Sequence, residues 1–259
     1  MKKFFWTVLV IMMATTMSVN LASCGDDDET VPGTGNVGNT TEKIKNRDLM
    51  GYWEFNGTIA PNLWIKSDGI CEVNGAEQKW AYDTETKTLA ITGGYTYIIK
   101  LLTSDMLSAE WSSVKYGTRT DTWTATAPNG LDPQWEKLII GTWKLENGSS
   151  ITFKDGKFDA KLNSRSTDEP TLEFSGTYST DYNGALRLTS NENFKGEYYD
   201  YNKKPKEGEM PIDIQISGIS GNRMRLRWTE TGNLTSIDID GALYYLSHYI
   251  SGIYTFVND

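Results

Sequence analysis

The sequence predicts an all-β protein made of two tandem up-and-down β-barrels, and three observations lead to this class. Apolar and polar residues alternate with a period of two along many short segments, which is typical of strands with one buried face. Asp-Gly and Asn-Gly pairs separate several of these segments, as expected for tight hairpin turns. The same succession of strands occurs twice in the 259 residues, which indicates two copies of one unit.

The composition excludes several functional classes. With a net charge of −9, 38% hydrophobic and 23% charged residues, the chain can bury a core but lacks the concentrated Lys and Arg that nucleic-acid binding needs. One histidine and two cysteines leave little for a metal site or for histidine-based catalysis. No Gly-x-Ser-x-Gly, His-Glu-x-x-His or P-loop motif occurs. We therefore expect neither an enzyme nor a bound metal or cofactor.

Residues 1–23 predict a secretory signal peptide. Lys2 and Lys3 precede an apolar run over residues 4–13, and small residues follow before Cys24. A basic start, an apolar segment and small residues before a cleavage point are the three parts of such a signal. The alternative is a membrane anchor helix, but the apolar run is shorter than the ~20 residues that a membrane span needs.

Residues 21–24 (Leu-Ala-Ser-Cys) resemble the lipobox of bacterial lipoproteins. The resemblance implies that the signal is cut before Cys24, which then carries acyl chains. Two or more acyl chains anchor a protein stably, whereas one gives only marginal membrane binding.

An acidic run follows directly, and it consists of Asp26, Asp27, Asp28 and Glu29. Such a run resembles the surface-export signal of Bacteroidetes lipoproteins, which implies an outer-membrane location exposed at the cell surface. The alternative is a solvated spacer. Residues 30–47 are rich in Gly, Thr and Asn, so we assign residues 24–48 to a flexible tether.

Two copies of the repeated unit follow the tether. We assign residues 49–126 to the first copy, 127–137 to a linker and 138–259 to the second copy. Each copy opens on a strand with a Gly-x-Trp motif, at Gly51 and Trp53 and at Gly141 and Trp143.

Three hairpins follow in each copy. The first two occupy residues 63–73 and 80–91 in copy one, and residues 151–162 and 176–188 in copy two. In the third hairpin, residues 95–111 align without a gap on residues 212–228.

Each copy closes on an aromatic strand, around Trp123 and around residues 254–256, which gives about eight strands per copy. Eight strands connected in sequence close naturally into a barrel without free edges. The alternative is a β-sandwich, which usually needs longer connections between its sheets. Aromatic residues along the strands of copy one favour a filled interior; they are Trp64, Trp80, Tyr97, Trp111 and Trp123.

The Gly-x-Trp strand, the Asp-Gly hairpin after it and the lipobox with its acidic run together resemble the lipocalin-like domains of Bacteroidetes lipoproteins. The resemblance covers most of residues 49–259. It implies that Trp53 and Trp143, with Gly51 and Gly141, form the bases of the two barrels.

Copy two is longer than copy one because of three insertions, at residues 164–171, 190–211 and 230–252. Loops on a rigid barrel often carry binding residues. We predict four ligand-binding candidates: Tyr198, Tyr199, Tyr201 and Trp228. A tyrosine offers a flat apolar face and a hydroxyl, which suit sugar rings and protein partners. The alternative is a loop that folds back as a plug on its own barrel.

Further residues admit two interpretations each. Arg223, Arg225 and Arg227 share one strand face, either for recognition of an anion or as an outer face paired with Asp213. We favour the outer face. Residues 241–250 could form a short helix capped by Asp240.

Four more side chains, Asp238, Asp240, His248 and Cys71, are expected to have no functional role. Asp238 and Asp240 are expected to be solvated rather than a calcium site. His248 is expected to be a packed or surface residue rather than a ligand. Cys71 has no partner once Cys24 is acylated, and we expect it to face the core.

Taken together, these features predict a lipid-anchored surface protein that binds a small amphipathic molecule or a glycan in its C-terminal barrel. The alternative is a structural or interaction module whose barrels are filled by their own side chains. Such a module would serve as an accessory subunit beside an outer-membrane protein complex.

Overall fold

The computed structural model describes residues 46–166, 168–191, 195–198, 211–229, 234–239 and 242–257. It confirms the predicted class, because two eight-stranded antiparallel barrels follow one another along the chain, and each is closed. The strands of the first barrel lie within residues 51–126 and those of the second within residues 141–257. No strand of one barrel pairs in a ladder with a strand of the other, among the ladders described.

The first barrel is a simple meander, in which each strand pairs with the next and the last pairs with the first. Its strands are β1 (Gly51–Phe55), β2 (Leu63–Ile65), β3 (Ile70–Val73), β4 (Ala76–Asp83), β5 (Thr88–Ile91), β6 (Tyr95–Leu102), β7 (Met106–Ser113) and β8 (Gly117–Thr126). A single helical turn, α1 (Trp135–Leu138), leads into the second barrel.

The second barrel has the same order of strands around its wall, but its copy contains three further strands that form a separate sheet. The wall consists of β9 (Gly141–Lys144), β10 (Ser150–Lys154), β11 (Lys157–Leu162), β12 (Leu172–Thr180), β13 (Ala185–Ser190), β15 (Pro211–Ser220), β16 (Arg223–Trp228) and β19 (Gly252–Val257). A separate three-stranded sheet contains β14 (Lys195–Tyr198), β17 (Leu234–Ile239) and β18 (Ala242–Tyr245), and the helical turn α2 (Ser247–Ile250) follows it.

The gapless match between the third hairpins extends to their irregularities. In β6 the pairing register shifts between Ile99 and Leu101, and in β15 it shifts between Ile216 and Gly218. These positions coincide in the alignment that the sequence predicts. A bulge bends its strand and increases the local twist, so both barrels curve at the same place.

The two copies also share the hydrogen bond of the Gly-x-Trp motif. The indole N–H of Trp53 donates to the carbonyl oxygen of Leu49 at 2.9 Å, and that of Trp143 donates to Ile139 at 2.7 Å. Both tryptophans are fully buried at the end of their barrel where the chain enters. We call this end of each barrel the base and the opposite end the far end.

Aromatic rings fill the interior of the first barrel. Tyr97 and Trp123 meet edge to face with their ring centroids 5.6 Å apart, and Phe55 lies 5.6 Å from Trp123. Trp111 also belongs to this core. Trp64 differs from the prediction, because Leu63 and Ile65 on either side of it point inward, which places Trp64 on the outer face under Lys66.

The bases of the two barrels pack against each other. Ser67 donates through its backbone N–H to Asp132 of the linker at 2.9 Å, and the Ser220 hydroxyl donates to the carbonyl of Ile65 at 3.4 Å. The guanidinium of Arg223 in β16 bonds to Asp105 in the turn between β6 and β7. We call this contact region the junction.

Arg47, which precedes the first barrel, belongs to the junction as well. Its guanidinium lies 3.3 Å from the ring centroid of Phe256 and 5.3 Å from that of Trp143, and it donates to the carbonyl of Leu138 at 2.7 Å. Burial lowers the pKa of Arg47 to about 9, so the side chain remains charged at neutral pH. Segments far apart in sequence are therefore tied together at the base of the second barrel.

The arginines of β16 point away from the barrel core, as predicted, but they do not form a solvated face paired with Asp213. Arg223 is buried at the junction, and Arg225 donates to Asn129 and to the carbonyl of Ala127 in the linker at 2.6 and 3.1 Å. Asp213 forms a bidentate pair with Arg187 of the neighbouring strand β13, at 2.7 and 2.8 Å. Arg223 therefore contacts the first barrel and Arg225 contacts the linker, because the linker covers the outer face of β16.

Candidate functional site

Most residues of the predicted anchor and ligand site lie outside the described part of the chain. This holds for Cys24, Asp26, Asp27, Asp28, Glu29, Tyr199 and Tyr201. The backbone of Tyr198 belongs to β14 and pairs opposite Leu234, but its side chain is not described. Trp228 is the one ligand-binding candidate whose side chain has a described position.

Trp228 ends β16 at the far end of the second barrel and packs against the barrel core. Its backbone N–H donates to the Ser251 hydroxyl at 3.1 Å. Its indole nitrogen is buried and has no hydrogen-bond partner in the described part of the protein. A buried N–H without a partner costs about 1–3 kcal/mol, so this donor is available to a ligand that could reach it.

Each of the three insertions of copy two connects two strands at this same far end. Ile237 of β17 and Leu246, Tyr249 and Ile250 around α2 are fully buried and belong to the same core cluster as the barrel wall. We call these four residues the cap. They place apolar side chains of the third insertion over the barrel mouth. The plug alternative concerned the tyrosines of the second insertion, whose side chains lie outside the described residues.

Polar contacts tie the cap to the first insertion. The Tyr249 hydroxyl donates to the carbonyl of Pro170 at 3.1 Å, and the His248 ring nitrogen lies 3.5 Å from a carboxylate oxygen of Glu169. A hydrogen bond from Ser164 lowers the pKa of Glu169, which keeps that carboxylate charged. His248 is exposed, in agreement with the expectation of a surface histidine.

The segment 241–250 is only partly helical. Residues 242–245 form β18, and the helix is the single turn α2. Its N-cap is Leu246, which provides no side-chain cap, and the expected cap Asp240 lies outside the described residues. Asp238 is exposed on β17, as expected for a solvated side chain.

The far end of the first barrel carries a polar cluster that the sequence analysis did not single out. The Trp111 indole donates to Asp121 at 2.8 Å, and Arg119 donates to both carboxylate oxygens of Asp121 at 3.2 and 3.3 Å. Partial burial would raise the pKa of Asp121, but the hydrogen bonds from Arg119 and Trp111 outweigh it and lower the pKa.

A signal for this cluster was present in the sequence. Threonines occupy every second position of β8 from Thr118 to Thr126, and the first four are exposed. The residues between them therefore point inward, and Trp123 on the same face is fully buried. Alternation alone places Arg119 and Asp121 on the inner face, where charged residues are unusual.

In the second barrel, residues of the cap occupy the positions that this polar cluster occupies in the first barrel. Ala109 pairs with Asp121 in the first barrel, and the equivalent Leu226 pairs with Gly252 in the second. Continuing that register places Ile250 where the first barrel has Arg119. The indole of Trp228, equivalent to Trp111, thus lacks the carboxylate that Trp111 uses.

Cys71 faces the core of the first barrel, as the sequence predicts. Burial, the largest cause, raises the pKa of its thiol from the ordinary 9.0 to about 12. The thiolate is the reactive form of cysteine, so this side chain is chemically inert at neutral pH.

Two concave features are lined by described residues. One is a cavity of about 10 Å³ at the junction, room for a single water molecule, between Gly51 and Trp53 of the first barrel and Ser220 and Arg223 of the second. The other is an open groove of about 480 Å³ on the outside of the second barrel, which the ion pair of Lys161 and Glu173 crosses at 2.6 Å.

Within the described ranges, no helix is long and apolar enough to cross a membrane. The same residues contain no group of three or more His, Cys, Asp or Glu side chains placed to hold a metal ion. Comparison with known proteins finds no matching family model, no similar curated protein and no matching solved structure.

Proposed function

We propose that the protein is a lipid-anchored surface module whose barrels are filled by their own side chains and which binds its partners at the barrel ends. One observation carries this proposal: large side chains occupy both interiors. Trp53, Tyr97 and Trp123 are fully buried in the first barrel, and Trp143 and Phe153 are fully buried in the second. Among the described residues, cores packed in this way leave no room for enclosed cargo. The module is non-catalytic and acts beside an outer-membrane protein partner.

A second candidate function is carriage of a small amphipathic molecule or glycan at the far end of the second barrel. Two buried polar atoms favour it, the indole nitrogen of Trp228 and the hydroxyl of Ser236. Neither has a hydrogen-bond partner in the described part of the chain. A ligand that displaced the cap would reach the indole nitrogen of Trp228.

Native mass spectrometry of the protein after mild detergent extraction distinguishes the two functions. For the filled module we expect the mass of the polypeptide with its acyl chains and nothing more. A further bound mass that Trp228→Phe abolishes would contradict the filled module and establish carriage. Trp143→Phe is the matched control, because that indole already donates to Ile139.

The anchor has its own test. In this proposal Cys24 carries the acyl chains, so Cys24→Ala is expected to move the protein from the membrane fraction to the soluble fraction. Replacing Asp26, Asp27, Asp28 and Glu29 by alanine should leave the protein in the membrane but remove it from the cell surface, as added protease would report. Retention of the Cys24→Ala variant in washed membranes would refute the lipid anchor.

A further inference from the structure

The far end of the first barrel presents polar groups beside aromatic rings on one inner row. Tyr97 of β6 pairs with Trp111 of β7, and Trp111 pairs with Arg119 of β8. All three belong to the inner face, and the row lies at the end remote from the junction. Together with Asp121 and Tyr95, these residues form what we call the Arg119 cluster.

Several hydrogen-bond donors and acceptors of the cluster have no partner among the described residues. A guanidinium has five N–H donors, and Arg119 directs two of them to Asp121. Three donors are thus free of partners in the part of the chain that the structure describes. Of the two carboxylate oxygens of Asp121, one accepts from Arg119 and Trp111 and the other accepts from Arg119 alone, which leaves it one free acceptor position.

The charge of the cluster favours a neutral ligand with hydroxyl groups over a free anion. Arg119 and Asp121 neutralise each other, and 38% of the Arg119 side chain is exposed against 10% of Asp121. A free anion would gain little attraction from a guanidinium that Asp121 already neutralises, and the carboxylate would repel it. A group with hydroxyls, which both accept and donate, can instead bond to the guanidinium and to the carboxylate without displacing either.

Tyr95 adds an apolar face next to these polar groups. Its ring is parallel to that of Tyr97, with an interplanar angle of 5° and a centroid distance of 6.4 Å, and 37% of the residue is exposed. The Tyr97 hydroxyl is buried without a partner in the described chain. Stacking holds the Tyr95 ring in place, so binding against it costs little side-chain entropy.

We propose that the Arg119 cluster binds a neutral saccharide. Neighbouring hydroxyls of one sugar ring bond to Arg119 and Asp121, while the C–H face of the ring, or of the next one, packs on Tyr95. This proposal rests on the proposed function in one respect, the location of binding at a barrel end. It names a ligand class and a site that the proposed function leaves open.

The test is affinity electrophoresis of residues 24–259 carrying Cys24→Ala, which removes the acyl chains. Native gels would contain one soluble polysaccharide each: amylopectin, xylan, mannan or mixed-linkage glucan as neutral probes, and polygalacturonate or heparin as anionic probes. We expect at least one neutral polymer to retard the protein. Tyr95→Ala and Arg119→Lys should each weaken binding at least tenfold, and Tyr182→Ala should not. Tyr182 is an exposed tyrosine on the second barrel and serves as the matched control.

Three outcomes would overturn the saccharide proposal: no neutral polymer retards the protein, only anionic polymers do, or both variants bind as the parent does. Thermal melting of each variant checks that the fold is intact, and Arg119→Lys keeps the charge, so a loss cannot be attributed to an unpaired Asp121. A failure here leaves the native mass result untouched, so the saccharide proposal and the filled-module proposal fail separately.

Discussion

Replacing Trp123 with alanine is expected to lower the free energy of unfolding by about 3–5 kcal/mol, the range for deletion of a large buried aromatic side chain. Trp123 is fully buried, contacts the rings of Tyr97 and Phe55, and donates from its indole to the carbonyl of Pro61 at 2.8 Å. The substitution removes both the packing and the hydrogen bond. The small barrel has few other residues that could close around the cavity.

Urea denaturation followed by circular dichroism measures this loss. Trp123→Phe retains most of the ring and should cost less than half as much. Tyr182→Ala, at a residue 86% exposed, should change the stability by no more than about 0.5 kcal/mol. An equal cost for the Trp123→Ala and Tyr182→Ala variants would show that the first barrel is not the packed core described above.

Replacing Gly221 with alanine is expected to cost about 2–5 kcal/mol and to loosen the junction. Gly221 has a φ of +55°, and a Cβ atom added to it would lie 1.8 Å from the carbonyl oxygen of Met50 in the other copy. The left-handed backbone accounts for about 1–2 kcal/mol and the forced separation for about 1–3 kcal/mol more. Because the Cβ atom is fixed to its own backbone and the carbonyl belongs to the other, no side-chain rotation can relieve the clash.

Gly156→Ala is the matched control for this variant. Gly156 also has a positive φ, +71°, but its added Cβ would meet nothing within 4 Å. It should therefore cost only the conformational part, about 1–2 kcal/mol. Limited proteolysis gives the second measurement, since a loosened junction exposes the linker at residues 127–134. Identical stability and identical cleavage of the two variants would contradict close packing of the barrels at Gly221.

The fold could be predicted because the signals that determine it are local and occur twice. Asp68-Gly69 and Asp155-Gly156 mark tight turns, and alternation assigns the inner face of each strand. The third hairpin aligned without a gap because its bulge is repeated at the same place. Because the pattern occurs twice, each copy supports the strand assignment of the other.

The junction and the cap could not be predicted in this way. Arg223 and Asp105 are far apart in sequence. The alternation of apolar and polar residues predicts that Arg223 points away from the barrel core, but it does not predict which residues cover that outer face. Ile237 and Ile250 come from an insertion with no counterpart in copy one. The Arg119 cluster lies between these cases, because its inner position follows from the alternation of β8 but its pairing with Trp111 requires the strand register.

Packing of the barrels through their bases has a consequence for avidity. The chain enters the first barrel at residues 46–50, beside the junction, where Arg47 contacts the second barrel. In the proposed lipid-anchored protein, attachment through this end of the chain would leave the far end of each barrel away from the attachment point. If both proposed binding ends are used on one anchored molecule, the first contact would raise the effective concentration of the second. Weak contacts at each end would then suffice for lasting attachment.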